Sequence, residues 1–233
     1  MLEVAAVMPV YNEEDGIEAA VTGCVAALTA TGAIFRVFVM DDGSTDRTPH
    51  VLQQFARDPR VEVRRTANAG HGPTILAAYR HVARRARWVF QFDSDEEVPI
   101  ANFGALWAAR GGADAVIGRR TQRRQALPRH LVSRGSRLAV RVLYGNSVND
   151  VNCPFRLMRG DVLARLVERI PVDTFAPNVA ISGLLALERC RVVNVAVPVT
   201  VRTTKTASLT GWKAVAIGIH ALHQTLAIRR RDA

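Results

Sequence analysis

Cysteine is scarce: Cys24, Cys153 and Cys190 are widely spaced, odd in number and form no CxxC pair. That argues against a disulfide framework or a zinc knuckle and predicts buried or half-buried thiols in a reducing compartment. Long apolar runs are also missing. A bilayer-spanning helix needs roughly 20 apolar residues, and the nearest stretch, Ala214–Ile228, is shorter and carries His220, His223 and Gln224. The opening MLEVAAVMPVYNEED lacks a basic leader segment, and its apolar run meets Pro9 and then acids. It reads as a first strand, not a signal peptide. Aromatic residues make up only 6% and do not interleave with the basic stretches, which argues against a nucleic-acid-binding surface.

What remains is an ordinary globular balance, 48% hydrophobic and 22% charged, in 233 residues. One domain over residues 1–233 is expected, with a core large enough to stand without disulfides. Net charge is +10, which suits an anionic partner. The charge is uneven. Acids crowd Glu13–Asp15, Asp41–Asp46 and Asp93–Glu97, whereas Arg119–Arg141 and Arg229–Arg231 are basic. That separation predicts a specific acidic site inside a basic protein.

Short apolar runs alternate with helical patterns in the first half, predicting an α/β fold with a mostly parallel central sheet. Strands are expected at Val4–Val10, where Pro9 breaks the run, and at Arg36–Met40, Val61–Arg65, Trp88–Phe92 and Ala113–Gly118. Helices are expected at Gly16–Thr31, from a Ser44–Asp46 cap to about Ala56, and at Gly72–Ala86 and Pro99–Ala109. In the second half the pattern predicts a basic amphipathic helix over Arg129–Leu143 and a strand near Phe155–Met158. Helix Asp161–Glu168, strand Val192–Val201 and an apolar helix Gly211–Ile228 follow.

Three acidic clusters fall at the C-terminal ends of expected strands, the edge where open α/β sheets bind ligands. In QFDSDEE, Asp93, Asp95 and Glu97 alternate just past a strand. Carboxylates so spaced can converge on one hard divalent cation, Mg²⁺ or Mn²⁺, completed by substrate phosphates. In VFVMDDGSTDRT, Asp41 and Asp42 leave a strand and can accept hydrogen bonds from a base or ribose, while Asp46 suits a helix cap. In MPVYNEE, Tyr11 offers an aromatic face and Glu13 an acceptor.

The order PVYNEE, DDGSTD, NAGHGPTILAA, FDSDEE resembles the inverting GT-A glycosyltransferases of family 2 over about the first 120 residues. The later stretch RHLVSRGSRLAVRVLYGNSVNDVNCPFRLMRG looks like dolichyl-phosphate mannose synthases and bacterial polyprenyl-phosphate glycosyltransferases. There, a basic amphipathic segment leads into a DxxSGFR motif. Asp150, Phe155 and Arg156 match it, with Cys153 and Pro154 in place of Ser and Gly. The resemblance implies a nucleotide- and metal-binding half over 1–120 and an acceptor-binding half over 121–233.

It further implies that Pro9, Tyr11, Glu13 and Asp41, assisted by Asp42, hold the nucleotide, and that Gly70, His71 and Gly72 let the backbone approach the donor. Asp93, Asp95 and Glu97 would hold Mg²⁺ or Mn²⁺ at the diphosphate. Arg119 and Arg202 would offset charge on donor and acceptor phosphates, with Arg134, Arg156 and Lys205 also on the acceptor side. Asp95, Asp150 and Arg202 would serve the chemistry, Asp150 either as a base or by positioning the acceptor. The expected reaction moves a sugar from a UDP- or GDP-sugar to a polyprenyl phosphate. The alternatives are transfer to a saccharide or small-molecule hydroxyl, and non-catalytic nucleotide-sugar binding. The expected location is cytoplasmic and peripheral at the inner membrane face, held directly or through a membrane-protein partner. One departure stands out: the helix after the FR motif usually carries an acid, and here it reads FAPNVAISGLLAL, with Asn178 and Ser182.

Overall fold

The computed structural model describes residues 1–95, 97–121 and 148–200. The expected helices at Arg129–Leu143 and Gly211–Ile228, and with them Arg134, Arg202 and Lys205, lie outside the described residues.

Seven strands form one sheet: β1 Leu2–Val10, β2 Phe35–Asp41, β3 Val61–Arg65, β4 Ala86–Gln91, β5 Ala115–Thr121, β6 Arg156–Arg159 and β7 Val192–Pro198. Their order is β3-β2-β1-β4-β6-β5-β7. All neighbours run parallel except β6, which is antiparallel to both β4 and β5. Near-continuous apolar stretches such as Val4–Met8 are fully buried, as strands covered on both faces require.

The helices are α1 Ile17–Thr29, α2 Thr48–Leu52, α3 His71–Val82, α4 Phe103–Ala108, α5 Gly160–Glu168 and α6 Pro177–Leu187. α3, α5 and α6 pack together on one side, and α1 packs with α2 and α4. α5 is amphipathic, burying Val162, Leu163, Leu166 and Val167. α6 is buried along most of its length, so it has no polar stripe to reveal its period. α2 begins at Thr48, later than the expected cap, with Pro49 in its first turn.

Pro9 does not break β1. The strand runs to Val10, and Pro9 keeps its register with Met40 of β2. In a parallel sheet, alternate residues bond to opposite neighbours. Val10 accepts from the Asp42 N–H on the β2 side, so Pro9 faces β4, where the ladder has already ended at Val7. Its missing N–H therefore costs no ladder bond, and β1 and β4 part beyond that point. This is also where the chain order reverses, with β2 on one side of β1 and β4 on the other. Such a switch point opens a crevice at the strand ends.

Behind the β4 exit sits an aromatic cluster. The Phe90 ring lies 4.6 Å from Phe103, 5.0 Å from Phe155 and 5.3 Å from Phe92. These rings fix the backbone from which Asp93 emerges.

Candidate active site

The crevice is walled by the loops after β1, β2 and β4, and hydrogen bonds stitch the first two together. The Asn12 N–H donates to Ser44 Oγ at 3.0 Å, and Glu13 N–H to Thr48 Oγ1 at 2.8 Å. In return, Thr45 N–H donates to Asn12 Oδ1 and Arg47 N–H to Glu14 Oε2. Asp46 accepts from the Thr48 N–H at 2.9 Å, closing the turn into α2. Tyr11 stands at this rim with 46% of its surface exposed.

Asp41 and Asp42 part company. Asp41 is almost fully buried; its Oδ1 accepts from Ser44 N–H at 2.8 Å. Its Oδ2 is 3.3 Å from Arg65 Nε, an ion-pair distance, yet no donor is aligned on it for a hydrogen bond. A buried carboxylate oxygen without a hydrogen-bond donor is uncommon. Asp42, expected to assist with the nucleotide, instead spends its carboxylate on the protein. It accepts from Ala69 N–H, Gly70 N–H and Thr74 Oγ1 at 2.8–2.9 Å. It thereby pins the loop before α3 to the end of β2.

The two glycines of that loop also differ. Gly70 adopts φ 90° and ψ 159°, a region open essentially to glycine alone, and nothing lies within 4 Å of where a Cβ would stand. Gly72 meets a different need from the donor approach expected of it. A Cβ there would lie 2.4 Å from Thr174 O and 2.5 Å from Phe175 O, so it lets α3 pass under the 174–175 backbone.

His71 carries the loop across the crevice, its Nε2 lying 3.3 Å from Asp93 Oδ1. Burial alone would lower the His71 pKa, but Asp93, Asp95 and Asp42 around it hold it above the ordinary histidine value. Burial likewise opposes ionisation of Asp93. His71, the Gln91 amide and Arg120 outweigh it and hold the carboxyl below the usual range. Asp95 Oδ1 accepts from the Glu97 N–H at 3.1 Å, a local turn that sets the loop's shape.

Glu97, expected as a third metal ligand, is engaged elsewhere. Its Oε2 accepts from Arg120 Nη1 at 2.8 Å, and no group of three metal-ligating side chains is assembled among the described residues. Asp93 and Asp95 still suit a hard cation by donor type. Mg²⁺ and Mn²⁺ are commonly held by one or two carboxylates, with substrate phosphate and water completing the shell.

Arg120 is the residue missed at the sequence level. Along β5 successive side chains alternate between faces. Arg119 is exposed, while the Arg120 side chain is only 5% exposed. The Arg120 guanidinium grips Asp150 with two bonds, Nε to Oδ2 at 2.8 Å and Nη2 to Oδ1 at 3.0 Å, and reaches Glu97 with the third nitrogen. Asp150 is further located by its neighbour, since Asn149 N–H donates to Asn194 Oδ1 on β7.

Arg156, expected at the acceptor, has other partners. Its side chain is fully buried, and its guanidinium donates to the carbonyls of Cys153, Val151 and Asn178 at 2.8–3.2 Å. Ser182 Oγ lies in the same cage, within hydrogen-bond distance of Val151 O and Asn178 O at 2.9 and 2.7 Å, with one proton to give. Arg156 thus ties the turn after Asp150 to α6. Cys153 lies buried in that turn, and desolvation pushes its thiol up to about 11.

The sequence profile of "Glycosyl transferase family 2" matches residues 5–167. The undecaprenyl-phosphate 4-deoxy-4-formamido-L-arabinose transferase of Edwardsiella ictaluri is 30% identical over 181 residues, 76% of this chain and 55% of that protein. The protein of the same name from Yersinia pestis is 26% identical over 182 residues, with the same coverage. The chain therefore spans about half the length of the curated relatives it matches. Among solved structures, glucosyl-3-phosphoglycerate synthase from Mycobacterium tuberculosis with UDP has a TM-score of 0.68 at 18% identity, over 96% of this chain and 80% of that one. A mannosyltransferase from Pyrobaculum calidifontis, in complex with GDP-Man and Mn²⁺, has a TM-score of 0.66 at 20% identity, over 100% of this chain and 65% of that one. The fold is the GT-A arrangement of a mostly parallel sheet between helices, and the chain belongs to glycosyl transferase family 2.

Proposed function

We propose that this chain transfers a sugar, with inversion, from a nucleoside-diphosphate sugar to a polyprenyl phosphate in a reaction that uses Mg²⁺ or Mn²⁺. One observation carries the reading. At the β1–β4 switch point, a buried acceptor without a hydrogen-bond donor, Asp41 Oδ2, and the paired carboxylates Asp93 and Asp95 stand at the same C-terminal edge of one parallel sheet. Named relatives that act on undecaprenyl phosphate support the acceptor class. A structural neighbour holding GDP-Man and Mn²⁺ supports the donor class and the cation.

In this reading Tyr11 and Asp41 receive the base and ribose, with Glu13 beside them. Gly70 brings the backbone toward the donor. Asp93 and Asp95 hold the cation, which when bound offsets negative charge on the diphosphate. Arg119, exposed on β5, would meet a phosphate, as would Arg134, Arg202 and Lys205. The acceptor phosphate oxygen attacks the anomeric carbon, the bond to the diphosphate oxygen breaks, and the nucleoside diphosphate departs. An anionic phosphate oxygen needs no base to activate it. Asp150, already gripped twice by Arg120, acts by fixing the acceptor side rather than by taking a proton. Among the described residues, no helix is long and apolar enough to cross a membrane. We place the protein at the cytoplasmic face, in contact with the bilayer that holds its acceptor.

The test is transfer of radiolabel from UDP- and GDP-sugars into solvent-extractable lipid with undecaprenyl phosphate present, with and without Mn²⁺ or Mg²⁺. Label entering the organic phase only with cation supports the reading. Hydrolysis of the donor with no lipid-borne label overturns the acceptor assignment.

A further inference from the structure

A chain of buried polar groups runs from α6 to the acidic loop, and no step above uses it. Tyr79 on α3 is fully buried, and so is Gln91, the last residue of β4. The Tyr79 hydroxyl donates a short hydrogen bond to Gln91 Oε1. Gln91 Nε2 in turn donates to Asp93 Oδ1 at 3.3 Å, the same oxygen that His71 Nε2 approaches at 3.3 Å. At the far end, the side-chain amide of Asn178 lies 3.2 Å from the Tyr79 hydroxyl, and α6 is locked in turn by the Arg156 cage.

Two polar groups buried in a strand and a helix of an apolar core are costly unless they satisfy each other. Their order is also directional. An amide has one donor end and one acceptor end. Because the Tyr79 O–H donates to the oxygen of Gln91, its NH₂ must turn toward Asp93. The reverse orientation would set an amide oxygen against a carboxylate. Burial pushes the Tyr79 phenol far up, so it stays a donor at any working pH. Both donors converge on Oδ1, and no described group hydrogen-bonds to Asp93 Oδ2.

We propose that Gln91, oriented by Tyr79, is a positioning residue that holds Asp93 by one oxygen and presents the other to the divalent cation. The inference rests on the cation assignment made above and deepens it. Outer partners of ligating carboxylates fix their orientation, and losing one typically weakens metal affinity about 10- to 100-fold.

The experiment titrates the purified full chain with MnCl₂ alone, reading free Mn²⁺ by its electron paramagnetic resonance signal. Gln91→Met keeps the length of the side chain and removes both polar ends. It should raise the half-saturating Mn²⁺ concentration about 10- to 100-fold. Tyr79→Phe removes the hydroxyl that orients Gln91 and should raise it about two- to tenfold. Phe103→Leu perturbs the aromatic cluster under the same loop but not the relay, and should leave it within twofold. If either single variant fails to give a cooperative melt, the double variant Tyr79→Phe/Gln91→Met is read instead, since replacing both partners with apolar groups leaves fewer unsatisfied atoms. Wild-type protein that takes up Mn²⁺ while the folded variants bind it equally overturns the relay and leaves the cation site standing. Equal weakening by Phe103→Leu also overturns it, because general loosening of the loop would then suffice. Wild-type protein that takes up no Mn²⁺ overturns the cation assignment itself, and the relay's role with it.

Discussion

Replacing Arg120 tests whether the acidic edge is held together by one cation. Its side chain is 5% exposed and Asp150 is 18% exposed, so their paired bonds are largely shielded from water. Glu97 is wetter, at 31%, and its bond to Arg120 contributes less. Arg120→Met keeps the aliphatic stem and deletes the guanidinium, removing a shared cationic partner from two neighbouring carboxylates. Breaking a buried pair by removing one member costs roughly 3–5 kcal/mol. The partial exposure of Asp150 puts the expectation at about 3 kcal/mol, the lower end of that range. For a chain of this size that is a fall in Tm of roughly 6–12 °C. Asp150→Asn removes the charge but keeps the shape, and should cost about 1.5–3 kcal/mol. The double variant carries the decisive reading. If the two side chains act through each other, it is less destabilised than the sum of the singles, with a coupling of about 1–3 kcal/mol. Urea unfolding of the wild type and the three variants measures this cycle. Effects that add within about 0.5 kcal/mol would refute the clamp.

Further outcomes separate the roles of neighbouring residues. Gly72→Ala drives a methyl into the Thr174 and Phe175 carbonyls, at 2.4 and 2.5 Å, and should cost about 1–3 kcal/mol in urea unfolding. Asp93→Asn should weaken Mn²⁺ binding by more than about 100-fold, beyond what losing an outer partner does, as read by calorimetry. Asp41→Asn should raise the KM for the nucleotide sugar and leave Mn²⁺ binding unchanged; an unchanged KM would remove Asp41 from the donor site. Arg119→Ala should shift stability by no more than about 0.5 kcal/mol, as an exposed substitution, while reducing transfer rate. A drop in stability without a change in rate would make Arg119 structural.

The parallel core was legible because each of its strands is a short apolar run closed by a turn signal. The expected and observed bounds of Val61–Arg65 coincide, and those of the β2 and β4 runs differ by one or two residues at each end. Pro9 was misread. Proline is a strand breaker only where its N–H is needed, and that depends on where the neighbouring ladder stops. No local pattern says that β4 leaves β1 at Val7. α6 shows no period because it is buried nearly all round, so periodicity could not outline it. The resemblance to polyprenyl-phosphate enzymes was the only pointer to a helix there.

The site's supporting residues were harder to read for a related reason: charge in a sequence does not say which way a side chain faces. Arg119 and Arg120 are adjacent and chemically identical, and only the β5 register sends one outward and the other onto Asp150. Strand alternation from Val116 and Gly118 could have favoured Arg120. The motif resemblance points to Arg156 as an acceptor ligand; a buried arginine is tolerated here because backbone carbonyls from two segments surround it. That cage also gives the missing acid of the FR helix a physical consequence. Where a carboxylate would neutralise a buried guanidinium, this chain has Asn178, whose carbonyl accepts from Arg156 and whose side chain turns to Tyr79. Burial accordingly holds the Arg156 pKa below its usual value. An Asn178→Asp substitution would therefore add a counter-charge beside Arg156 and, at the same time, place a carboxylate against the Tyr79 hydroxyl that orients Gln91. Its two effects run in opposite directions, more stable folding through the ion pair and weaker Mn²⁺ binding through a diverted hydroxyl proton. Measuring melting and metal affinity on that one variant separates the fold's use of the 178 position from the site's.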